Sequence, residues 1–544
     1  MSTTVPAAGR LPRRGEAYLP ADTSVPLVEH TVGHLVAARA AEHPEREALV
    51  GVRHGSGEVD RLTYAALCTE AQEVAARLAA VTDPGDYVAL WAPNVIEWTV
   101  VQYAAALAGV VLVALNPVLR ENDLDYVLRH SRARVLLHAR ASRQYDMAEV
   151  AERVCAGIPH LRRVCLSELM ALEPTDQWST RAAAVCVDHP VMLQYTSGTT
   201  GRPKGVLLTH RALVNVAKLT MEATAVPDAV ISYNPLPLFH TAGCVIGTLG
   251  PLWVGGTTVV GERFTPDMAL ETLRREKVTM MFYVPAVLRA LLHAQAASSE
   301  AAPDLRIILG GASDVPADLI AGAAAVFGAQ VYNAYGQTEL SPVLTITRPS
   351  DTAEDRLTTV GRPLPRVDCK IIDPESGATV ALGEIGEICA RGYQQFLEYV
   401  HDPHATARAL DADGFVRTGD LGFMDDRGYL SVTGRLKELI IRGGENISPV
   451  EVESVIARHE AVLDVVALGI PDAALGEVVA VVCRLSGGRG DVLAGLIAHA
   501  RDRMPAYRVP ARWFTVDEFP VTPTGKVQRF ALREAALAGQ LREL

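Results

Sequence analysis

Between about residues 28 and 345, short apolar runs alternate with helix-length stretches, and this rhythm constrains the fold more than any other feature of the chain. Runs such as Val88-Ala-Leu-Trp91, Val135-Leu-Leu-His138, Val230-Ile-Ser-Tyr233, Met280-Met-Phe-Tyr283 and Arg306-Ile-Ile-Leu309 carry no regular polar alternation. A strand without a polar face is buried on both sides, as in a parallel sheet whose crossovers are helices. From 346 to 434 the texture changes to short strands broken by Gly and Pro turns, as in Gly383-Glu-Ile-Gly-Glu-Ile-Cys389. That stretch predicts a small β-rich subdomain. After Gly434-Arg435 the strand–helix alternation starts afresh, which predicts a separate domain. The reading is an α/β protein. Residues 1–434 form a large domain of parallel-sheet subdomains plus the β-rich part, and 435–544 form a smaller α+β domain.

At 544 residues the chain exceeds what one hydrophobic core usually serves. Hydrophobic residues at 49% and charged residues at 21% match ordinary globular usage and exclude large-scale disorder. The formal net charge is −12 and no lysine–arginine run occurs, which argues against nucleic acid as a partner. The eight cysteines include no Cys-x-x-Cys pair and no zinc spacing, so they read as reduced thiols of a cytoplasmic protein. The first thirty residues contain Pro6, Pro12, Pro20 and Pro26 and no apolar run of signal-peptide type. Trp98 to Leu115 reads WTVVQYAAALAGVVLVAL, long enough to suggest a membrane span. Gly109 divides it into an alanine-rich half and a valine-rich half, which predicts a buried helix followed by a buried strand instead.

The apolar strand Val191-Met-Leu-Gln194 leads into Tyr195-Thr-Ser-Gly-Thr-Thr-Gly-Arg-Pro-Lys-Gly205. Glycines let backbone N–H groups turn inward, and such concavities bind anions. Thr196, Ser197, Thr199 and Thr200 add hydroxyl donors around Gly198, and Lys204 adds charge. The lysine follows proline and no Ser/Thr comes next, so this is not a Walker A loop. Only six lysines occur: Lys204, Lys218, Lys277, Lys370, Lys437 and Lys526. Lys204 and Lys526 sit in turn motifs and Lys437 follows one, where a compact flexible ammonium is useful. Lys218, Lys277 and Lys370 read as solvated surface residues.

The loop resembles the phosphate-binding signature of the adenylate-forming superfamily, which includes acyl-CoA synthetases, luciferases and the adenylation domains of nonribosomal synthetases. Further motifs follow in that family's order, from about residue 30 onward. The resemblance implies ATP held by Thr196, Ser197, Gly198, Thr199, Thr200 and Lys204. Tyr332-Asn-Ala-Tyr-Gly-Gln-Thr-Glu339 is similar to the adenine and metal motif. There Tyr335 would stack on adenine and Asn333 would read its exocyclic amine, with Ala334 and Gly336 beside them. Thr338 would touch phosphate and Glu339 would ligate Mg²⁺. Gly310-Gly311-Ala312 would let the backbone approach the nucleotide or acyl group. Arg417-Thr-Gly-Asp420 resembles the ribose-binding strand end, with Asp420 accepting the ribose hydroxyls and Arg435 contacting the ribose or phosphate region. Lys437 falls at the family's interdomain hinge, which makes the smaller domain mobile. Gly443 and Gly444 resemble the loop lining the pantetheine tunnel of CoA ligases. Pro520-Val-Thr-Pro-Thr-Gly-Lys526 carries the family's final lysine, which contacts the substrate carboxylate and the α-phosphate.

Leu236-Pro-Leu-Phe-His240 with Thr241-Ala-Gly243 resembles the acyl-pocket motif of acyl- and aryl-CoA ligases. Amino-acid-activating relatives usually carry an aspartate here, and this chain does not. Tyr233, Val245, Val284, Gly311, Ala312, Ser313, Tyr335 and Leu340 would wall the pocket, His240 would gate it, and Asp314 would either meet a polar substituent or face solvent. The implied reaction forms an acyl-adenylate from the acid and ATP, then transfers the acyl group to CoA as the small domain turns about Lys437. Other acceptors on the same machinery are a carrier protein or an amine, and one variant is ATP-dependent diazotisation of an aryl amine with nitrite. Intact Lys204, Thr338, Glu339, Asp420, Arg435 and Lys526 argue against a catalytically inactive binding protein. Homodimers are common among relatives.

Overall fold

The computed structural model describes residues 15–196, 203–311, 315–486, 492–521 and 527–544. They divide into two compact units. One comprises Leu19–Cys369 with Ala390–Val416, and the other Lys370–Cys389 and Arg417–Leu544 with the described part of Met1–Tyr18.

Two sheets build the first unit. In one, the strands lie in the order Glu398–Tyr399, Lys204–Thr209, Pro190–Thr196, Val111–Leu115, Tyr87–Trp91, Val135–His138, Arg162–Cys165. Neighbours from Pro190–Thr196 onward are parallel, and the first two strands are added antiparallel. In the other, the order is Arg362–Pro363, Thr345–Ile346, Gln330–Tyr335, Ile307–Gly311, Met280–Tyr283, Ile231–Asn234, Thr257–Val260, Glu47–Val52, Val59–Thr63. Here everything from Gln330–Tyr335 to Glu47–Val52 is parallel. The apolar runs read from the sequence are these strands: Val135–His138 and Met280–Tyr283 coincide, and the other three differ by a residue or two at their ends. Helices Pro266–Arg275, Pro285–Ala297 and Ala317–Phe327 pack Leu270, Leu273, Leu288, Leu291 and Leu319 onto Met281, Ile308 and Val331 of the second sheet. Trp98 to Leu115 is divided as expected. Helix Ile96–Ala108 ends at Gly109, which takes φ 70° and donates its N–H to Ala105, and strand Val111–Leu115 follows. Among the described residues no helix is long and apolar enough to cross a membrane.

Most of a five-stranded sheet falls in the second unit, in the order Tyr18–Leu19, Val367–Ile372, Gly386–Gly392, Val416–Met424, Leu430–Arg435. A six-stranded sheet follows, centred on Gly476–Leu485, which pairs with both Val462–Asp472 and Arg512–Thr515. Helices Pro449–Ile456 and Val492–Arg503 share one core with that sheet, and helix Arg529–Leu537 shares another. Four of the five strands of the first of these sheets come from the stretch read as β-rich, 346–434, the last of them ending one residue beyond it.

Two lysines expected at the surface are buried: Lys218 and Lys370 are each 5% exposed. Lys218 covers its aliphatic stem and points its ammonium at Glu222 one turn along, 2.7 Å away, near the Trp253 ring. Lys370 lies in the middle of strand Val367–Ile372. Lys277 is exposed, as expected.

Candidate active site

In open parallel sheets, ligands bind beyond the carboxyl ends of the strands. The motifs that lie in the first unit follow such ends. Strand Pro190–Thr196 runs into the glycine–hydroxyl loop, and its antiparallel pairing sets Tyr195 against Gly205 and Thr196 against Lys204. Ser197, Gly198, Thr199 and Thr200 lie outside the described residues. Helix Glu121–Ser131 holds both shoulders of the loop. The Tyr126 hydroxyl donates to the Pro203 carbonyl at 3.2 Å. The Tyr195 hydroxyl lies 2.9 Å from His130 Nδ1 and 3.2 Å from the Val127 carbonyl. The His130 ring faces His401 at 5.7 Å, and burial, then that neighbour, lowers its pKa and favours the neutral imidazole.

Strand Gln330–Tyr335 carries Asn333, Ala334 and Tyr335, with Gly310 opposite Asn333 and Gly311 opposite Ala334 on the neighbouring strand. Gly311 has φ 148°, and a Cβ there would stand 2.1 Å from the Ala334 carbonyl oxygen. Only glycine permits that approach. A Cβ on Gly336 would meet the Pro342 carbonyl at 2.0 Å, so this turn too is closed to side chains. The Asn333 N–H donates to Thr347 Oγ1 at 2.9 Å, which fixes the strand end. Asn333 and Thr338 are buried, and Glu339 in the short turn Thr338–Leu340 is half-buried. The Tyr399 hydroxyl donates to Glu339 Oε1 at 2.7 Å, and Lys204 Nζ lies 4.7 Å from the centre of the same ring. Burial, reinforced by the Glu339 carboxylate, pushes the Tyr399 phenol far above its ordinary pKa and keeps it a donor. Ala312, Ser313 and Asp314 lie outside the described residues.

The acyl-pocket motif is braced by amides that sequence reasoning passed over. Strand Ile231–Asn234 carries Tyr233, 2% exposed, whose hydroxyl would be 2.8 Å from a Cβ on Gly261. Asn234 accepts from the Leu236 N–H at 3.1 Å and donates to the Gly243 carbonyl at 3.0 Å. Asn94 accepts from the Leu238 N–H at 2.9 Å and donates to the carbonyls of Leu236 and Gly261. Gln102 donates to the Cys244 carbonyl at 2.9 Å. His240 is half-buried and its Nδ1 accepts from the Ala242 N–H at 3.2 Å, which leaves Nε2 to carry the proton of the neutral ring.

In the second unit, Asp420 and Arg435 stand opposite each other on antiparallel strands Val416–Met424 and Leu430–Arg435. Arg435 Nε is 2.9 Å from Asp420 Oδ1, and Asp420 is 4% exposed. Thr418 Oγ1 accepts from the Asp420 N–H at 3.0 Å and donates to the Ile388 carbonyl at 2.7 Å. Lys437 lies in the single turn Leu436–Glu438. Gly443 and Gly444 take φ 59° and 89° and form the two-residue turn between Ile440–Arg442 and Glu445–Ile447. Two successive positive φ values match a tight hairpin turn that glycine pairs favour. Lys526 lies outside the described residues, and its flanks are joined by a Val521–Val527 bridge and a Gln528 N–H to Pro520 carbonyl bond of 2.8 Å.

Among the described residues no group of three or more His, Cys, Asp or Glu gathers to hold a metal ion. That is compatible with Mg²⁺, which typically takes one or two carboxylates and completes its shell with phosphate and water. Glu339, a hard oxygen donor with one oxygen engaged by Tyr399, fits that demand.

The AMP-binding enzyme model matches residues 36–400, and the AMP-binding enzyme C-terminal domain model matches 451–526. YngI of Bacillus subtilis (strain 168), which bears a provisional acyl-CoA synthetase name, is 34% identical over 94% of this chain and 98% of its own length. The human mitochondrial medium-chain acyl-CoA ligase ACSF2 is 32% identical over 96% of this chain and 90% of its own. The crystal structure of the anthranilate CoA ligase AuaEII with anthranoyl-AMP superposes with a TM-score of 0.84 at 25% identity, covering 95% of this chain and 99% of that one. The chain belongs to the AMP-binding enzyme family of adenylate-forming ligases and is of the acyl-CoA synthetase type.

Proposed function

We propose that the acid this ligase activates carries an apolar tail, with medium-chain acids first among the candidates. The reaction is ATP-dependent activation of a carboxylic acid followed by transfer of the acyl group to CoA. The observation that carries the site reading is the meeting of the phosphate-loop lysine and the metal-motif acid, Lys204 and Glu339, on the single ring of Tyr399. The buried Tyr233 and the absence of an aspartate in Leu236–Gly243 support an apolar acid over an amino acid. The name of ACSF2 supports the medium-chain choice.

In the first half-reaction a carboxylate oxygen attacks the α-phosphorus, the bond from that phosphorus to the bridging oxygen breaks, and pyrophosphate leaves. Lys204 and the hydroxyls of the loop hold the departing phosphates, and Tyr335 and Asn333 hold the adenine. Asp420 accepts from the ribose hydroxyls, with Arg435 fixing its carboxylate. Lys526 neutralises charge at the crowded phosphorus as the two anions approach. Glu339 would hold Mg²⁺, which would supply charge neutralisation at the triphosphate. In the second half-reaction the smaller domain, 435–544, turns about Lys437 and withdraws Lys526. The CoA sulfur attacks the acyl carbon, the bond from that carbon to the AMP oxygen breaks, and the thiol proton passes to solvent. The turn at Gly443 and Gly444 admits the pantetheine arm. His240 bounds the acyl pocket, its ring held by the Ala242 N–H at Nδ1. The free cysteines support a reducing compartment such as the cytoplasm.

Acid-dependent ATP–pyrophosphate exchange, measured across alkyl, aryl and amino-substituted acids, tests this reading. Exchange should be strongest with medium-chain acids and should yield a thioester only when CoA is added. No exchange with any acid would contradict activation of a carboxylate. Exchange without thioester would move the acceptor to a carrier protein or an amine.

A further inference from the structure

Tyr399 belongs to none of the motifs that the chain shares with its family by resemblance, yet it touches two of them. The two-residue strand Glu398–Tyr399 pairs with the loop-bearing strand, with Tyr399 opposite Val206, and the Val400 N–H donates to the Gly205 carbonyl at 2.9 Å. The same segment grips the metal motif twice. The Phe396 N–H donates to the Glu339 carbonyl at 3.0 Å, and the Tyr399 hydroxyl donates to the Glu339 carboxylate at 2.7 Å. Tyr399 is itself fixed. Its N–H donates to Thr406 Oγ1 at 2.9 Å, its carbonyl accepts from the Asp402 N–H at 3.0 Å, and its ring packs on Phe396 at 4.9 Å between centroids. Little freedom remains to the phenol, so the oxygen it bonds is held in one orientation. Groups that orient a metal ligand from behind typically change metal affinity by about 10–100-fold when removed.

We propose that Tyr399 is a positioning residue that fixes the Glu339 carboxylate for the nucleotide-bound metal, while its ring face keeps the Lys204 ammonium beside that site. The inference rests on the adenylation reading. It adds that metal affinity is set by a residue outside both motifs, on a strand that reaches Glu339 through its pairing with the phosphate-loop strand.

Mn²⁺ titration followed by electron paramagnetic resonance tests it, with the full chain and the α,β-methylene analogue of ATP, which cannot donate its adenylyl group. Tyr399→Phe keeps the ring and removes one hydroxyl. It should weaken Mn²⁺ binding about tenfold in the presence of the analogue. Analogue affinity in EDTA should stay as in wild type. In a Glu339→Gln background, adding Tyr399→Phe should cause no further change, because the residue acts through that carboxylate. In turnover the KM for Mg·ATP should rise while the KM for the acid holds. Unchanged Mn²⁺ affinity, an equal loss with and without metal, or a further loss in the Glu339→Gln background would overturn the inference alone. Wild type that gains no analogue affinity from Mn²⁺ would overturn the adenylation reading and the inference together.

Discussion

A single glycine shows how narrow the nucleotide side of the site is. Gly311 takes φ 148° with its Cα facing the Ala334 carbonyl, and any side chain would press on backbone, which cannot step aside. Gly311→Ala should therefore cost on the order of 3 kcal/mol, the scale of strain at a special backbone position, and should weaken ATP binding. Urea unfolding and nucleotide titration of the variant check both, and wild-type values for both would remove Gly311 from the site. Gly311 stood out in the sequence only as half of a Gly-Gly pair after an apolar strand. Asn333 and Glu339 were singled out because both stand in a long motif whose residue types match a base and a cation. Tyr126, His130 and Tyr399 were not. A lone aromatic or histidine carries no local signal, and these three matter only because pairing and packing bring them to the loop. Asn94 and Asn234 were missed for the same reason, although an asparagine at the end of an apolar strand, or a few residues past it, is a hint of loop bracing.

Between elements, helix His210–Ala223 meets helix Val32–Glu42 at one imidazole. His210 Nδ1 accepts from the Val32 N–H at 3.2 Å, and burial drives the ring's pKa from 6.5 down to about 3. The folded state thus needs the neutral ring, while the unfolded chain protonates near the ordinary value. The stability is fully present above pH 6.5 and is lost as pH falls from there toward 3. At pH 5.5, one unit below the unfolded value, the loss is roughly 1.4 kcal/mol. His210→Asn, which can still accept from Val32, should shrink the fall in unfolding free energy between pH 7.5 and 5.5 by roughly that amount. An identical fall in wild type and variant would show that His210 does not titrate on unfolding. Element types were readable because strand and helix periods differ and both sheets are dominated by apolar parallel strands. The burial of Lys218 and Lys370 was not readable, because a long stem hides in a core while its ammonium stays paired, and composition alone does not record that.

Over the whole molecule, the chain's division does not follow sequence order, since 370–389 joins the same unit as 417–544. A linear reading of texture has no access to such a return. On the proposed mechanism the two half-reactions make different demands on Lys437, because only the second calls for the small domain to turn. Lys437→Pro should therefore spare acid-dependent ATP–pyrophosphate exchange and slow thioester formation at least tenfold, by restricting the backbone rotation of a hinge. Equal loss of both rates in a folded variant would contradict a hinge at this residue. The most direct measurement follows one oxygen atom. An acid labelled with ¹⁸O in its carboxylate is incubated with ATP, Mg²⁺, CoA and the enzyme, and the products are weighed by mass spectrometry. Attack of the carboxylate on the α-phosphorus, followed by cleavage between acyl carbon and AMP oxygen, predicts one ¹⁸O in AMP for each thioester formed and none in pyrophosphate. Unlabelled AMP, or label in pyrophosphate or phosphate, would contradict adenylation as the route to the thioester.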